Sequence, residues 1–123
     1  MQIVRRFIWI ALVLCASAGV VHAHHSGSMF DAGTEMKISG VVKEFQLTNP
    51  HAWLLVGVSS PNGESTTWSV ELGAPTLIQG MGIGKRTFTG GDEITVTLHP
   101  MKDGRPAGEF VSATLSDGTV VGH

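Results

Sequence analysis

The sequence predicts an all-β domain, a small barrel of five strands with one short helix between the third and fourth strands. Three observations support this fold class. Short runs with alternating apolar and polar residues recur along the chain. Turn signals rich in glycine, asparagine and proline separate these runs. A helix signal begins at Pro75, after the third run, because proline suits the first turn of a helix.

The first 23 residues predict a secretory signal peptide. Arg5 and Arg6 precede an apolar, uncharged run over residues 7–21, which is shorter than the roughly 20 apolar residues of a membrane-spanning helix. Small residues at the signal-peptidase positions predict cleavage after Ala23, with a second cut five residues earlier as the alternative. The mature chain is therefore expected to begin at His24 and to be periplasmic or secreted.

The net charge of the mature chain restricts its partner classes, and its cysteine content excludes a disulfide. Without Arg5 and Arg6, six basic and ten acidic residues remain, a formal charge of −4. This charge disfavours nucleic acid and anionic membrane lipid as partners. Cys15 leaves with the signal peptide, so the 100 residues from His24 onward form one small domain without a disulfide.

Residues 24–35 are small and polar without a period and predict an N-terminal arm. The first strand follows over residues 36–47. Its apolar residues fall first on even positions and then on odd ones, and the phase changes near Gly40. A phase change beside a glycine predicts a bulge in a long, curved strand.

The second and third strands predict a hairpin. Residues 52–59 are apolar on both faces, and Asn62-Gly63 supplies a tight turn. In the third strand Trp68 and its alternate neighbours are predicted to point into the barrel. Glu71 falls on the opposite face, where we expect a solvated carboxylate.

The second half of the chain predicts a short helix and two more strands. The fourth strand carries Ile94, Val96 and Leu98 on one face, and Asp103-Gly104 turns the chain into the fifth. There the shared face is predicted to hold three apolar residues, which are Val111, Ala113 and Leu115.

The order β-β-β-α-β-β is that of a five-stranded OB-fold-like barrel. An SH3-like barrel and a small sandwich are the alternatives. The predicted barrel domain covers residues 36–118, and a tail covers residues 119–123.

Adjacent histidines would begin the mature chain and are candidate metal ligands. His24 would offer an amine and an imidazole from one residue, a chelate that copper(II) favours. His25, Met29 and Asp31 would add donors, and the thioether of Met29 suits copper(I). The alternative interpretation is a polar tail without a ligand.

A second group of candidate ligands falls in two loops. In an OB barrel, the loops between strands one and two and between strands four and five flank the usual binding face. The first loop carries His51 after Pro50, and the second begins with His99 and Met101. Two imidazoles and a thioether predict a copper site. A turn hydrogen bond for His51, a solvent-facing His99 and a loop cap for Met101 are the alternatives.

No motif predicts catalysis. The glycine-rich stretch at residues 80–84 follows a helix instead of joining a strand to one, and no serine has a nucleophile-elbow context. We therefore expect a non-enzyme with no cofactor except copper. The competing hypothesis is an interaction module that binds a peptide, a glycan or a periplasmic protein partner, with Phe45 and Trp53 lining a groove.

Several short motifs, in order, carry a resemblance to a known family. They include His24-His25-Ser26, Asn49-Pro50-His51-Ala52-Trp53 and the segment from Trp68 to Pro75. With the signal peptide, they resemble a family of small exported bacterial proteins of unknown function. The resemblance implies export and one small β-rich domain, and it directs attention to the two histidine motifs. His99 and Met101 lie outside it.

Overall fold

The computed structural model describes residues 29–123. The predicted signal peptide, His24 and His25 lie outside the described residues. The described part folds as strands and one short helix in the predicted order. The elements are β1 (Met36–Gln46), β2 (Trp53–Ser59), β3 (Ser65–Glu71), α1 (Pro75–Gln79), β4 (Glu93–Pro100), β5 (Ala107–Leu115) and β6 (Val120–Gly122).

The first five strands close into a barrel. Their order in the sheet is β3-β2-β1-β4-β5, and a parallel pairing of β3 with β5 closes the ring. This seam joins residues 69–71 to residues 107–109, while the other neighbours pair antiparallel. The predicted OB-fold-like barrel is confirmed.

β1 serves both halves of the barrel because it curves. Its first half pairs with β4 and its second half with β2, and the register shifts between Val42 and Glu44. The predicted bulge therefore lies just after Val42. Gly40 is required by packing, because a Cβ there would overlap the carbonyl oxygen of Gly57 on β2.

Alternating residues of the strands fill the barrel. Trp68 is half-buried and packs against the core, as predicted for its face of β3. The prediction for Val111 is wrong. The β4–β5 register shifts at this level, so Phe110 packs against the core and Val111 is the extra residue of the bulge. The most deeply buried side chains include Val42, Leu54, Val56, Val70, Ile78, Ile83, Val96 and Leu98.

α1 and the loop after it cover part of the core. Pro75 occupies the first turn of the helix, and Ile78 is buried beneath it. Ile83 and Phe88 follow from the loop, and the Phe88 ring meets that of Phe45 edge-to-face at a centroid distance of 5.0 Å. Phe45 therefore belongs to the core and not to a surface groove.

Both ends of the described chain dock on the barrel. In the arm, Phe30 is buried and forms a bridge with Met101, and the Asp31 amide donates to the Pro100 carbonyl at 2.8 Å. At the other end, residues 120–122 form β6 on β5, where the sequence predicted a tail. Within residues 29–123, no helix is long and apolar enough to cross a membrane.

Candidate functional site

The loop between β1 and β2 holds His51 by its backbone. The Thr48 hydroxyl donates to the His51 carbonyl at 2.8 Å, and the Asn49-Pro50 peptide bond is cis. Immediately after this turn, the Ala52 amide donates to the Gly73 carbonyl at 3.1 Å. The His51 backbone is thus fixed on both sides, while its side chain reaches toward β3.

The His51 imidazole is paired with a buried carboxylate. Its Nδ1 atom contacts Oε1 of Glu71, whose side chain is 8% exposed, while the imidazole is 36% exposed. A carboxylate oxygen accepts hydrogen bonds, so Nδ1 is the donor. In the neutral imidazole, Nε2 is then left with a lone pair for a ligand.

The burial of Glu71 corrects the prediction of a solvated carboxylate. Its neighbours Val70 and Leu72 point into the core, so Glu71 does face outward as the strand period requires. The face is covered only at this end: Thr67 is exposed, whereas Glu71 contacts His51 and lines a cavity that the arm and the β4–β5 loop also line. Strand periodicity contains no information about such distant segments.

A cavity of about 380 Å³ lies between these covering segments and the barrel. Its floor is the outer face of β2 and β3, one wall is the arm, and another is the β4–β5 loop. This is the face that OB-fold proteins use for binding. The lining residues are Met29, Phe30, Trp53, Thr67, Ser69, Glu71, Met101, Arg105, Pro106 and Ala107.

Two methionines from distant parts of the chain share this cavity. Phe30 and Met101 are bridge partners, and the Lys102 amide donates to the Met29 carbonyl at 3.0 Å. Met29 and Met101 both line the cavity. Their thioethers are soft donors, and the Trp53 indole lines the same space.

His99 has a different position from the one predicted. Its Nδ1 lies 2.8 Å from the Thr34 carbonyl oxygen, which makes Nδ1 the donor. His99 therefore ties β4 to the arm and does not line the cavity. Of the predicted loop ligands, Met101 lines the cavity and His51 contacts its wall through Glu71. Within the described residues, no group of three or more His, Cys, Asp or Glu side chains is placed to hold a metal.

Carboxylate-capped turns fix the two segments that cover the cavity. In the arm, the Thr34 hydroxyl and the Gly33 amide donate to Asp31 at 2.8 and 3.2 Å, and they lower the pKa of that carboxyl below its ordinary value. In the β4–β5 loop, the backbone amide and the guanidinium of Arg105 lower the pKa of Asp103. Local hydrogen bonds therefore hold both turns.

The closed barrel defines an OB-fold-like protein with a cavity on its β2–β3 face. The chain belongs to a family of unknown function (DUF6152), whose model matches residues 11–110. This membership confirms the resemblance to a family without an assigned activity. No curated protein matches the chain.

A solved structure supports the fold. The mitochondrial single-stranded DNA binding protein Rim1 of S. cerevisiae is similar to this chain with a TM-score of 0.50 and 14% identity. The similarity covers 68% of this chain and 94% of Rim1. At this level of identity, the comparison concerns the barrel architecture alone.

Proposed function

We propose that this protein is exported to the periplasm and binds copper as a small, non-catalytic metal-binding module. The observation that carries the proposal is the contact between His51 and the buried Glu71 beside a cavity with two thioethers. Metal-ligating histidines almost always donate their second ring nitrogen to a carboxylate, a carbonyl or water. His51 has this arrangement, and its Nε2 is the predicted ligand atom.

The mature N-terminus would supply further ligands. Cleavage after Ala23 would leave five residues, 24–28, before Met29, which is fixed at the cavity wall. Five extended residues span about 16 Å at roughly 3.3 Å each. The amine and imidazole of His24 and the imidazole of His25 are therefore within reach of the cavity, and copper(II) favours such nitrogen donors.

The charge of the chain argues against a nucleic-acid ligand despite the OB fold. Single-stranded nucleic acid is held by positively charged grooves with aromatic platforms. The residues lining the cavity include one cation, Arg105, and one buried carboxylate, Glu71, and the mature chain carries a formal charge of −4. A small cation suits this surface better than a polyanion.

Calorimetric titration of copper(II) into protein purified from the periplasm tests the proposal, with intact mass identifying the N-terminus. His51→Ala should weaken binding at least tenfold, and adding one residue before His24 should weaken it again. His123→Ala is the matched control and should bind as the parent does. Affinity should also be lower at acidic pH, since only neutral imidazole ligates. Unchanged affinity in both the His51→Ala and the extended protein would refute the proposal.

A second candidate function is supported by the apolar lining of the same cavity. Phe30, Trp53 and Pro106 present apolar surface beside the free part of β3, which is where OB-fold proteins bind extended ligands. A peptide, a glycan or a periplasmic partner would then occupy the cavity, and the histidines would be structural. This function replaces the first if copper binding does not depend on His51 or on His24.

A further inference from the structure

We propose that the free edge of β3 binds the C-terminal tail of a partner protein, which adds to the barrel as a further strand and ends with its carboxylate at Arg105. The surface consists of residues 65–68 of β3 and the part of the cavity lined by Thr67, Ser69 and Arg105. This inference rests on the peptide-binding candidate function and deepens it. None of these residues is a proposed copper ligand.

β3 extends beyond the seam that closes the barrel. It pairs with β2 along its whole length but with β5 only over residues 69–71. Within the described part of the chain, residues 65–68 therefore have no partner strand on the side that faces β5. The first three of these residues are also exposed to solvent. An exposed edge without proline, lysine or a bulge is a template for pairing with another chain.

The register fixes which backbone groups this edge offers. The Ser69 amide donates to the Pro106 carbonyl at 3.1 Å, so the backbone groups of Ser69 point away from β2. These groups alternate sides along a strand, and the amides and carbonyls of Ser65 and Thr67 therefore point to the same free side. An extended polypeptide carries donors and acceptors at this spacing, which favours a peptide over a glycan at the edge.

Arg105 determines which end of a peptide fits. The four residues of the free edge span about 13 Å at roughly 3.3 Å each. The edge stops at the Pro106 carbonyl, immediately before β5. A strand added parallel to β3, as β5 is, would reach this point with its C-terminus. Arg105 precedes Pro106 and lines the cavity with Thr67 and Ser69, and a guanidinium binds a carboxylate but repels an N-terminal ammonium.

The Arg105 guanidinium has donors left for a second carboxylate. Its ion pair with Asp103 is made through Nε at 2.7 Å, and the side chain is 65% exposed. A guanidinium has five N–H donors, so those on its terminal nitrogens are not used by this bond. The other carboxylate among the lining residues, Glu71, lies within the β3–β5 seam and contacts His51, so it is not part of the free edge.

The cavity predicts the side chains that the tail should carry. Neighbouring strands of a sheet share their two faces, so every second residue of the tail would lie on the face of Thr67 and Ser69, which line the cavity. The apolar residues that line the same cavity are Met29, Phe30, Trp53 and Pro106. We therefore expect an apolar residue at alternate positions of the tail, while its backbone supplies the hydrogen bonds.

Two pools of random pentapeptides, immobilised through their N-termini, test the ligand class with the purified protein. One pool has free C-terminal carboxylates, and the other has C-terminal amides. The protein should bind members of the carboxylate pool, and the best of these should bind at least tenfold more weakly as its amide in fluorescence anisotropy. Methylating the backbone nitrogens of this peptide one at a time should weaken binding at every second residue, because alternate amides of an added strand face β3.

A charge-removing variant tests the role of Arg105. Arg105→Gln should bind the carboxylate and amide forms of the peptide equally weakly. Arg86→Gln is the matched control and should bind as the parent does, because Arg86 is exposed and is not among the residues that line the cavity. Urea denaturation of both variants verifies that they are folded. Copper(II) affinity should be the same in Arg105→Gln and in the parent.

The outcomes separate this inference from the peptide-binding function on which it rests. Equal affinity of the parent for the carboxylate and amide forms overturns the capture of a C-terminus, whereas N-methylation effects at every second residue would still support peptide binding at the β3 edge. N-methylation effects without this period overturn strand addition. If neither pool contains a peptide that binds, the inference and the peptide-binding function both fail.

Discussion

Two parts of this barrel are covered by segments outside the five-stranded sheet. The two covered regions differ in the polarity of the buried groups and in how closely they are packed. Beneath α1 and its following loop, the buried groups are the apolar side chains of Ile78, Ile83 and Phe88. Beneath the arm, the barrel surface holds a buried carboxylate, Glu71, and a cavity of about 380 Å³. One cover is packed, and the other leaves space.

This difference suggests that the region beneath α1 stabilises the fold, whereas the region beneath the arm is suited to binding. Apolar burial beneath α1 removes hydrocarbon from water and stabilises the fold. Burying a carboxylate costs free energy that its partner recovers only in part. A surface that departs from the packing rules in this way is the place to expect a ligand.

The largest effect is expected beneath α1. Ile78→Ala removes a fully buried side chain and should lower the free energy of unfolding by about 2–5 kcal/mol. Leu77→Ala, one position earlier on the same helix, removes an exposed side chain and should stay within about 0.5 kcal/mol of the parent. Urea denaturation checks both. Similar losses in the two variants would show that α1 is not a packed cover.

A smaller effect of opposite sign is expected beneath the arm. Glu71→Leu removes the buried carboxylate and leaves His51 partly exposed to water, so unfolding free energy should be unchanged or higher by up to about 2 kcal/mol. Urea denaturation of Glu71→Leu and the parent measures this change. The same variant should weaken copper(II) binding, because His51 loses the partner that orients it. If Glu71→Leu instead unfolds as easily as Ile78→Ala, Glu71 serves the fold and the contrast between the two covers disappears.

The smallest effect concerns the turn that holds the arm. The pKa of Asp31 is depressed, so the turn's stabilisation is present above the ordinary carboxyl pKa and is lost as pH falls through the lower folded value. Thr34→Val removes the hydroxyl donor and should raise the pKa of Asp31. An NMR titration of the carboxyl carbons measures this shift. Asp103, whose donors come from Arg105, is the internal control and should not move.

Local sequence patterns predict much of this fold because they arise from neighbouring residues. Alternation located the strands, and Asn62-Gly63 gave the hairpin, where Gly63 has φ 85°. The register shift of β1 followed from the change of phase beside Gly40. The bulge at Val111 was missed because it depends on how β5 pairs with β4, and one strand's own residues do not encode that pairing.

The candidate site was only partly predictable for a related reason. His51 and Met101 could be placed near the cavity because they lie in loops that the OB topology sets beside the β2–β3 face. The contact of His51 with Glu71 joins a loop to a strand whose outward phase predicts solvent. The arm lines the same cavity, and its docking through Phe30 leaves no periodic signal. A single sequence does not show which distant segments pack over a given strand.

The closure of the barrel adds a kinetic consequence. The seam between β3 and β5 joins three residue pairs, and three of its members, Ser69, Glu71 and Ala107, also line the cavity. We expect local opening of the barrel to occur most readily at this short seam, because few hydrogen bonds must break to separate the strands. A ligand in the cavity that contacts both β3 and β5 would hold the two strands together. Occupancy would then slow the opening of the whole ring and make the occupied protein more resistant to proteolysis.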